Sequence, residues 1–270
     1  MDRLGIIGAP SDWLISCHVD ANLLKEKFDL ELVQITTEEL IELTKTHKEE
    51  APEGLIKATF KKSELDLAYQ IYLSILDLVK KYDLKGFTIR CFDLLGTIHS
   101  TSCLALALCN DAGIIGTCEG DVPAMISMYL VKKFLGQYAF QANPSEIDSN
   151  TSKITIAHCT LPLKMCTSYK LDTHFESGIG VAIKGELECK DCFIFRISPD
   201  LDKYVILKGK IHENLTRNNL CRTQIVISVE NNINYFLKNP LGNHHLVVYG
   251  HDTTKLEEYL KEKGLRNVVA

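Results

Sequence analysis

The chain has no apolar run approaching the ~20 residues that a membrane-spanning helix needs, and its first residues lack a secretory-signal pattern. Neither a spanning nor a secreted protein is expected, and the expected location is cytoplasmic. No second C-x-x-C stands at zinc spacing from Cys189-Lys190-Asp191-Cys192, so this motif reads as a hairpin turn. There is no glycine-rich loop to cradle a phosphate, no internal repeat and no low-complexity segment, and Trp13 is the single tryptophan. Neither sign of charge predominates, with 30 Lys and Arg against 35 Asp and Glu. A net charge of −5 gives no reason to expect nucleic acid or an anionic membrane as partner.

What is present is ordinary globular composition, 46% hydrophobic and 24% charged over 270 residues. That length can bury a substantial core in one large domain or two modest ones. Ten cysteines without a secretion signal point to reduced thiols. Several, such as Cys103 and Cys109, lie in apolar segments, where cysteine behaves as a small hydrophobe.

Residues 1–148 alternate strand and helix patterns. Strands are expected over 3–8, 30–35, 87–92 and 114–118, and helices over 21–28, 37–48, 64–82, 101–112 and 123–135. Residues 49–62 are polar, hold Pro52 and Gly54, and read as a loop or a broken helix. Ser63 with Asp66 three residues on suggests a capping-box variant for the 64–82 helix, and Gly86 is expected to close the turn after it. A further strand edge is expected over 138–142. Such alternation predicts a mostly parallel, Rossmann-like sheet with helices on both faces. Residues 144–152 are turn-rich and mark the expected boundary. Beyond them, β-rich segments over 153–159, 180–188, 192–197, 204–211, 222–229 and 245–249 precede one helix over 254–263. The second domain, 149–270, is therefore expected to be an antiparallel, barrel-like β unit with a terminal helix.

The stretch from Ile114 to Pro123 is a short apolar strand that stops at Glu119-Gly120-Asp121, with Pro123 suited to open a helix. Open α/β sheets place ligand-binding groups at such strand ends. The loops at 11–13, Asp93, Glu119–Asp121 and Asn143 should then share one carboxyl edge. A solvated acidic turn capping the helix is the alternative reading of Glu119 and Asp121. In the second half His158 ends a strand, His174 and Glu176 lie in a polar loop, and Gly242-Asn243 precede His244 and His245. Neighbours in a strand face opposite ways, so only one of His244 and His245 can join a given site. Each histidine alone is also compatible with a structural role. Combined with Glu119, they form a carboxylate–imidazole set suited to Mn²⁺ or a similar divalent ion.

The run 87–121, the strand-final His158 and Gly242-Asn243-His244-His245 resemble the catalytic portion of the L-fucose and L-arabinose isomerases. The likeness extends to fucose isomerase-like proteins through Ser11-Asp12-Trp13-Leu14, Cys118-Glu119-Gly120-Asp121, His158-Cys159-Thr160 and His174-Phe175-Glu176-Ser177, in order over residues 3–250. The resemblance implies metal-dependent aldose–ketose isomerisation through an ene-diol, with a sugar as substrate and trimers or hexamers as usual assemblies. It implies Glu119 as metal ligand and acid/base group, with His158 and His244 as further ligands. Asn143 stands nearest the family's second carboxylate.

An asparagine can offer its carbonyl oxygen to a metal but cannot act as a general base at neutral pH. Asp121, Asp93, Glu176 or a metal-bound hydroxide would have to stand in. The larger isomerases carry a further N-terminal domain, expected here to be missing or supplied by a separate chain. Trp13, Asp93, Glu176 and Arg222 are the candidate substrate contacts, and Arg90 is expected to pair with Asp93. A metal-dependent epimerase or lyase, and a non-catalytic sugar-binding or split-enzyme subunit, are the alternative functions.

Overall fold

The computed structural model describes residues 1–55 and 60–269. The first half contains β1 (Asp2–Ile7), α1 (Ala21–Phe28), β2 (Leu30–Ile35), α2 (Thr37–Thr46), α3 (Lys62–Tyr82), β3 (Leu84–Ile89), α4 (Asp93–Ile98), α5 (Cys103–Asp111), β4 (Ile115–Cys118) and α6 (Val122–Leu135). Its strands form a four-stranded parallel sheet in the order β2-β1-β3-β4. Side chains alternate across this sheet. Leu4 and Ile6 pack with α1 and α6, whereas Ile7, Phe87 and Ile89 pack with α2, α3 and α5. Among the described residues no helix is long and apolar enough to cross a membrane.

The second half contains β5 (Phe140–Asp148), β6 (Lys153–His158), β7 (Cys166–Asp172), β8 (Ala182–Leu187), β9 (Asp191–Ile197), β10 (Lys203–Asn214), β11 (Thr223–Val229), α7 (Tyr235–Lys238), β12 (His245–Tyr249), α8 (Thr254–Glu262) and β13 (Arg266–Asn267). The strands run in the order β11-β6-β5-β12-β9-β10, and β10 pairs back onto β11. All these pairings are antiparallel, so the six close into a barrel, with β13 added alongside β10. Closure removes the exposed edges an open sheet would leave. On β9, Cys192 and Ile194 join the cluster that fills the barrel, while Phe193, Phe195 and Ile197 join α6. Helix α6 therefore lies between the parallel sheet and the barrel, and residues Val122 to Val131 are all buried. A helix apolar on every side is a core helix.

Several expectations need correction. The strand expected over 138–142 is not an edge of the parallel sheet. It is β5, which enters the barrel between β6 and β12 and continues to Asp148 through the turn-rich stretch after Ala142. Pro144 fits there because the β5–β6 register shifts between Pro144 and Glu146, and a bulge tolerates a residue with no N–H to give. Ser63 does not cap α3; Lys61 precedes the helix without a side-chain cap, and Asp66 accepts from the Ala51 N–H at 2.8 Å. The turn into β3 is made by Asp83 in the left-handed region, at φ 51°. Gly86 lies inside β3. Strand β7 gave little signal because only Leu171 along it is buried. Of the polar stretch 49–62, residues 56–59 lie outside the described residues.

Gly86 is the close approach between β3 and β4. A Cβ there would stand 2.6 Å from the Ile115 Cβ and 3.0 Å from the Ile115 carbonyl oxygen. Gly86→Ala should destabilise the chain by about 1–3 kcal/mol, the usual cost of overpacking. Urea unfolding would measure this, and a change within about 0.5 kcal/mol, typical of a surface substitution, would refute the crowding.

Candidate metal centre

Strand β4 carries the site to its position. Ile115 to Cys118 are all buried, and the chain then turns through two left-handed residues, Glu119 at φ 63° and Gly120 at φ 64°. Only glycine fits position 120, where a Cβ would lie 2.4 Å from the Ala9 carbonyl oxygen and 2.9 Å from the Ser11 nitrogen. Glu119 keeps a side chain in a conformation that costs of order 1–2 kcal/mol. Its neighbours hold it there. Ser11 Oγ donates to the Glu119 carbonyl oxygen, and the Gly120 N–H donates to the Ile89 carbonyl at 3.0 Å. Gln141, from barrel strand β5, clamps the preceding peptide: it accepts from the Cys118 N–H at 2.7 Å and donates to the Cys118 carbonyl at 3.2 Å.

Asp121 ends the turn as the N-cap of α6 and accepts from the Ala124 N–H at 3.0 Å. Pro123 follows inside the first turn. Asp121 is fully buried and forms a two-pronged pair with Arg196 of β9, at 2.8 and 3.0 Å. The remaining guanidinium donors reach the carbonyl oxygens of Leu241, His244 and Ser16 at 3.2, 2.7 and 3.1 Å. The same carboxylate takes the His244 Nδ1–H at 2.9 Å. Burial pushes the Asp121 carboxyl up, but Arg196 and His244 outweigh it and bring it to about 2.

That bond turns His244 Nε2 toward Glu119. His244 Nε2 lies 3.5 Å from Glu119 Oε1, and His158 Nε2 lies 3.4 Å from the same oxygen. Thr160 Oγ1 sits 3.0 Å from His158 Nδ1, so it can accept a hydrogen bond from Nδ1–H in the tautomer that leaves Nε2 unprotonated. These Nε2–carboxylate approaches exceed a good charge-assisted hydrogen bond, and His244 Nε2 is buried with no hydrogen-bond partner. Burial opposes charge on both partners. The imidazoles nevertheless hold Glu119 well below the usual carboxylate range, and Glu119 and Asp121 raise His244 to about 9. Two imidazole nitrogens converging on one carboxylate oxygen, each backed by a second group on its other nitrogen, fit a divalent cation. Cys118, Glu119 and His158 also place one ligand atom each within 4.8 Å of one another.

Glu119 borders a cavity of about 490 Å³ whose walls include Trp13, Asn143, His158, His174 and Glu176. Trp13 Nε1 approaches Glu119 Oε2 at 3.4 Å. The structure thus gathers Trp13, Glu119, Asn143, His158 and Glu176 at one cavity, with His244 directly behind Glu119. Asn143 arrives from the barrel, not from the parallel sheet. Three expected site residues stand apart. Asp121 is sealed behind His244. Asp93 bonds Thr37 and Arg90, at 3.3 and 3.2 Å, beside a separate shallow cleft. Arg222 donates to the Thr173 carbonyl at 2.7 Å and so orders the loop that carries His174 and Glu176. His245 points away from His244 and meets the Tyr235 hydroxyl at 2.9 Å. The C-x-x-C segment links β8 to β9, but β8 pairs with β7 and β9 with β10 and β12. It is therefore a connection between sheets and not the expected hairpin turn; Cys189 is exposed and Cys192 buried.

Two features escaped sequence reasoning. Arg196 is one, although a lone arginine inside Phe193-Ile194-Phe195-Arg196-Ile197 was a usable signal, since arginine is rarely buried unpaired. The other is that Cys91, Cys103, Cys118, Cys159 and Cys221 all line the one cavity.

Removing either partner of the buried pair strands the other charge. Arg196→Met and Asp121→Asn should each cost about 3–5 kcal/mol, and the double variant should cost less than their sum. Additive losses in urea unfolding would contradict this. The Asp121 contribution is complete above its unfolded value of roughly 3.9 and is lost as the pH falls through about 2. Asp121→Asn should therefore flatten the acid limb of the stability curve in that window.

No family model matches the chain. It is similar to a sulfoquinovose isomerase of Clostridium sp. (strain MSTE9), 26% identical over 231 residues that make up 77% of this chain and 50% of that protein. Sulfoquinovose isomerases of Priestia aryabhattai and Priestia megaterium (strain ATCC 12872 / QMB1551) are each 24% identical over 139 residues, 48% of this chain and 31% of theirs. The chain spans about half the length, or less, of these curated relatives. They are sugar isomerases, the general class implied by the motif order, and they do not single out the fucose and arabinose isomerases.

Proposed function

We propose that the chain carries the metal-binding and proton-transfer groups of a sugar aldose–ketose isomerase. The observation that carries this reading is the convergence of His158 Nε2 and His244 Nε2 on the Glu119 carboxylate beside the cavity. The similarity to sulfoquinovose isomerases supports the reaction class. Glu119, His158 and His244 would hold a divalent cation, and Asn143 lines the same cavity. When bound, the ion polarises the neighbouring carbonyl and hydroxyl oxygens of an open-chain sugar.

Aldose–ketose exchange removes the proton at C2 and returns it at C1, so a group facing the sugar must accept and release it. Asn143 cannot, and Asp121 and Asp93 do not border the cavity. Glu176 does, and we assign it that proton. Asp121 acts through His244 by fixing its ring, and Trp13 supplies an apolar face for the sugar. No lysine or arginine is among the described lining residues, so they provide no cation for a sulfonate, and the proposal stays at a sugar substrate.

The test combines metal content with exchange. After purification with Mn²⁺, the unsubstituted chain should carry near-stoichiometric metal, and Glu119→Gln should lose it. In D₂O the loaded protein should incorporate deuterium at C2 of a reactive aldose and release the ketose. Glu176→Gln should keep the metal and lose roughly 10²–10⁴-fold in rate, the range for a general acid–base group. Full activity in Glu119→Gln would sink the proposal, and exchange without ketose would favour an epimerase or lyase step.

A further inference from the structure

We infer that Cys118 is a ligand of the metal centre, making it a mixed thiolate–carboxylate–imidazole site suited to Zn²⁺ or Co²⁺ more than to Mn²⁺. The inference rests on the reading of Glu119 and His158 as metal ligands. A Cys118 sulfur, a Glu119 carboxylate oxygen and a His158 ring nitrogen lie within 4.8 Å of one another. Cys118 and His158 are buried, at 2% and 4% exposure. Gln141 holds both polar atoms of the Cys118 peptide, so the thiol is placed by a fixed backbone. The unpartnered Nε2 of His244, also buried, faces the same carboxylate.

Each of these groups has a partner of its own. Asp121 meets His244 Nδ1, Thr160 meets His158 Nδ1, and Cys91 Sγ stands 3.0 Å from Cys118 Sγ. Without metal the Cys118 thiol donates to Cys91 Sγ. Once a metal has displaced that proton, the Cys91 thiol can turn and donate to the Cys118 thiolate, as second groups around metal sites support the ligands. Soft sulfur discriminates among metals where carboxylate and imidazole do so less. Thiolates favour zinc-like ions, while Mn²⁺ favours oxygen donors. Binding forms the metal–sulfur bond, breaks the S–H bond and releases one proton to solvent.

The experiment is a Co²⁺ titration of the metal-stripped protein, followed by absorption. An intense near-ultraviolet sulfur-to-cobalt band should grow to saturation, vanish in Cys118→Ser and persist in Cys91→Ser. Zn²⁺ affinity of Cys118→Ser should fall by at least roughly 10–100-fold, the loss typical even of second-shell changes, with a smaller fall for Mn²⁺. If Cys118→Ser does not fold, alkylation with peptide mapping of the unsubstituted protein decides. With exposure to the reagent long enough to label Cys118 in the metal-free protein, protection by Co²⁺ supports the assignment, and equal labelling with and without it overturns it. Co²⁺ bound with no sulfur band, or a band that survives Cys118→Ser, also overturns it while leaving the isomerase reading intact. Failure to bind Co²⁺ removes the centre and both readings.

Discussion

A guanidinium sealed from water must find a partner for every donor, and Arg196 does so at the junction of the two halves. It pairs with Asp121 at the start of α6 and reaches the carbonyl oxygens of Ser16, Leu241 and His244. Gly242 lies flat against it; a Cβ there would come within 2.3 Å of the guanidinium carbon. Burying two charges is costly, and such a pair is weak grounds for stability as such. Its role here is orientation. With one carboxylate shared between Arg196 and His244, the imidazole is held in a single direction, and Nε2 is turned to Glu119.

The rest of the site depends on where α6 sits. Because this helix is apolar all round, it can be covered by the parallel sheet on one side and by barrel strands β9 and β12 on the other. Its N-terminus is then fixed relative to both. Glu119 belongs to the parallel-sheet half, while His158 and His244 come from the barrel. The strained turn at Glu119 is tied to each half as well, by Ser11 and Ile89 on one side and by Gln141 on the other. Preorganisation of this kind keeps the donor atoms close before any ligand arrives.

Local patterns were legible where burial is regular. The ranges expected for α1 and β2 match the observed ones, because their apolar spacing has one clear period and their ends carry cap and turn residues. The opposite facing of His244 and His245 followed from strand geometry alone. Legibility failed where a local rule met a tertiary exception. Pro144 looked like a boundary, but a bulge accommodates it within β5. Asp66 looked like a capping partner, but the Ala51 N–H claims it. Asp93 and Asp121 looked equivalent to Glu119, since each follows a strand of the same sheet.

By itself, the sequence determined the alternation of elements, the two-part β character, and the residue types from which a centre could be built. Glu119, His158 and His244 stand out because they are carboxylate and imidazole ligand types at or beside strand ends. Which of the carboxylates face the cavity was decided only by tertiary structure. Glu119 and Asp121 are two residues apart, yet the left-handed turn between them sends one to the cavity and the other to Arg196. That partner is 75 residues away along the chain. Local periodicity carries no information about a contact of that range, because it forms only when α6 and the barrel close around it.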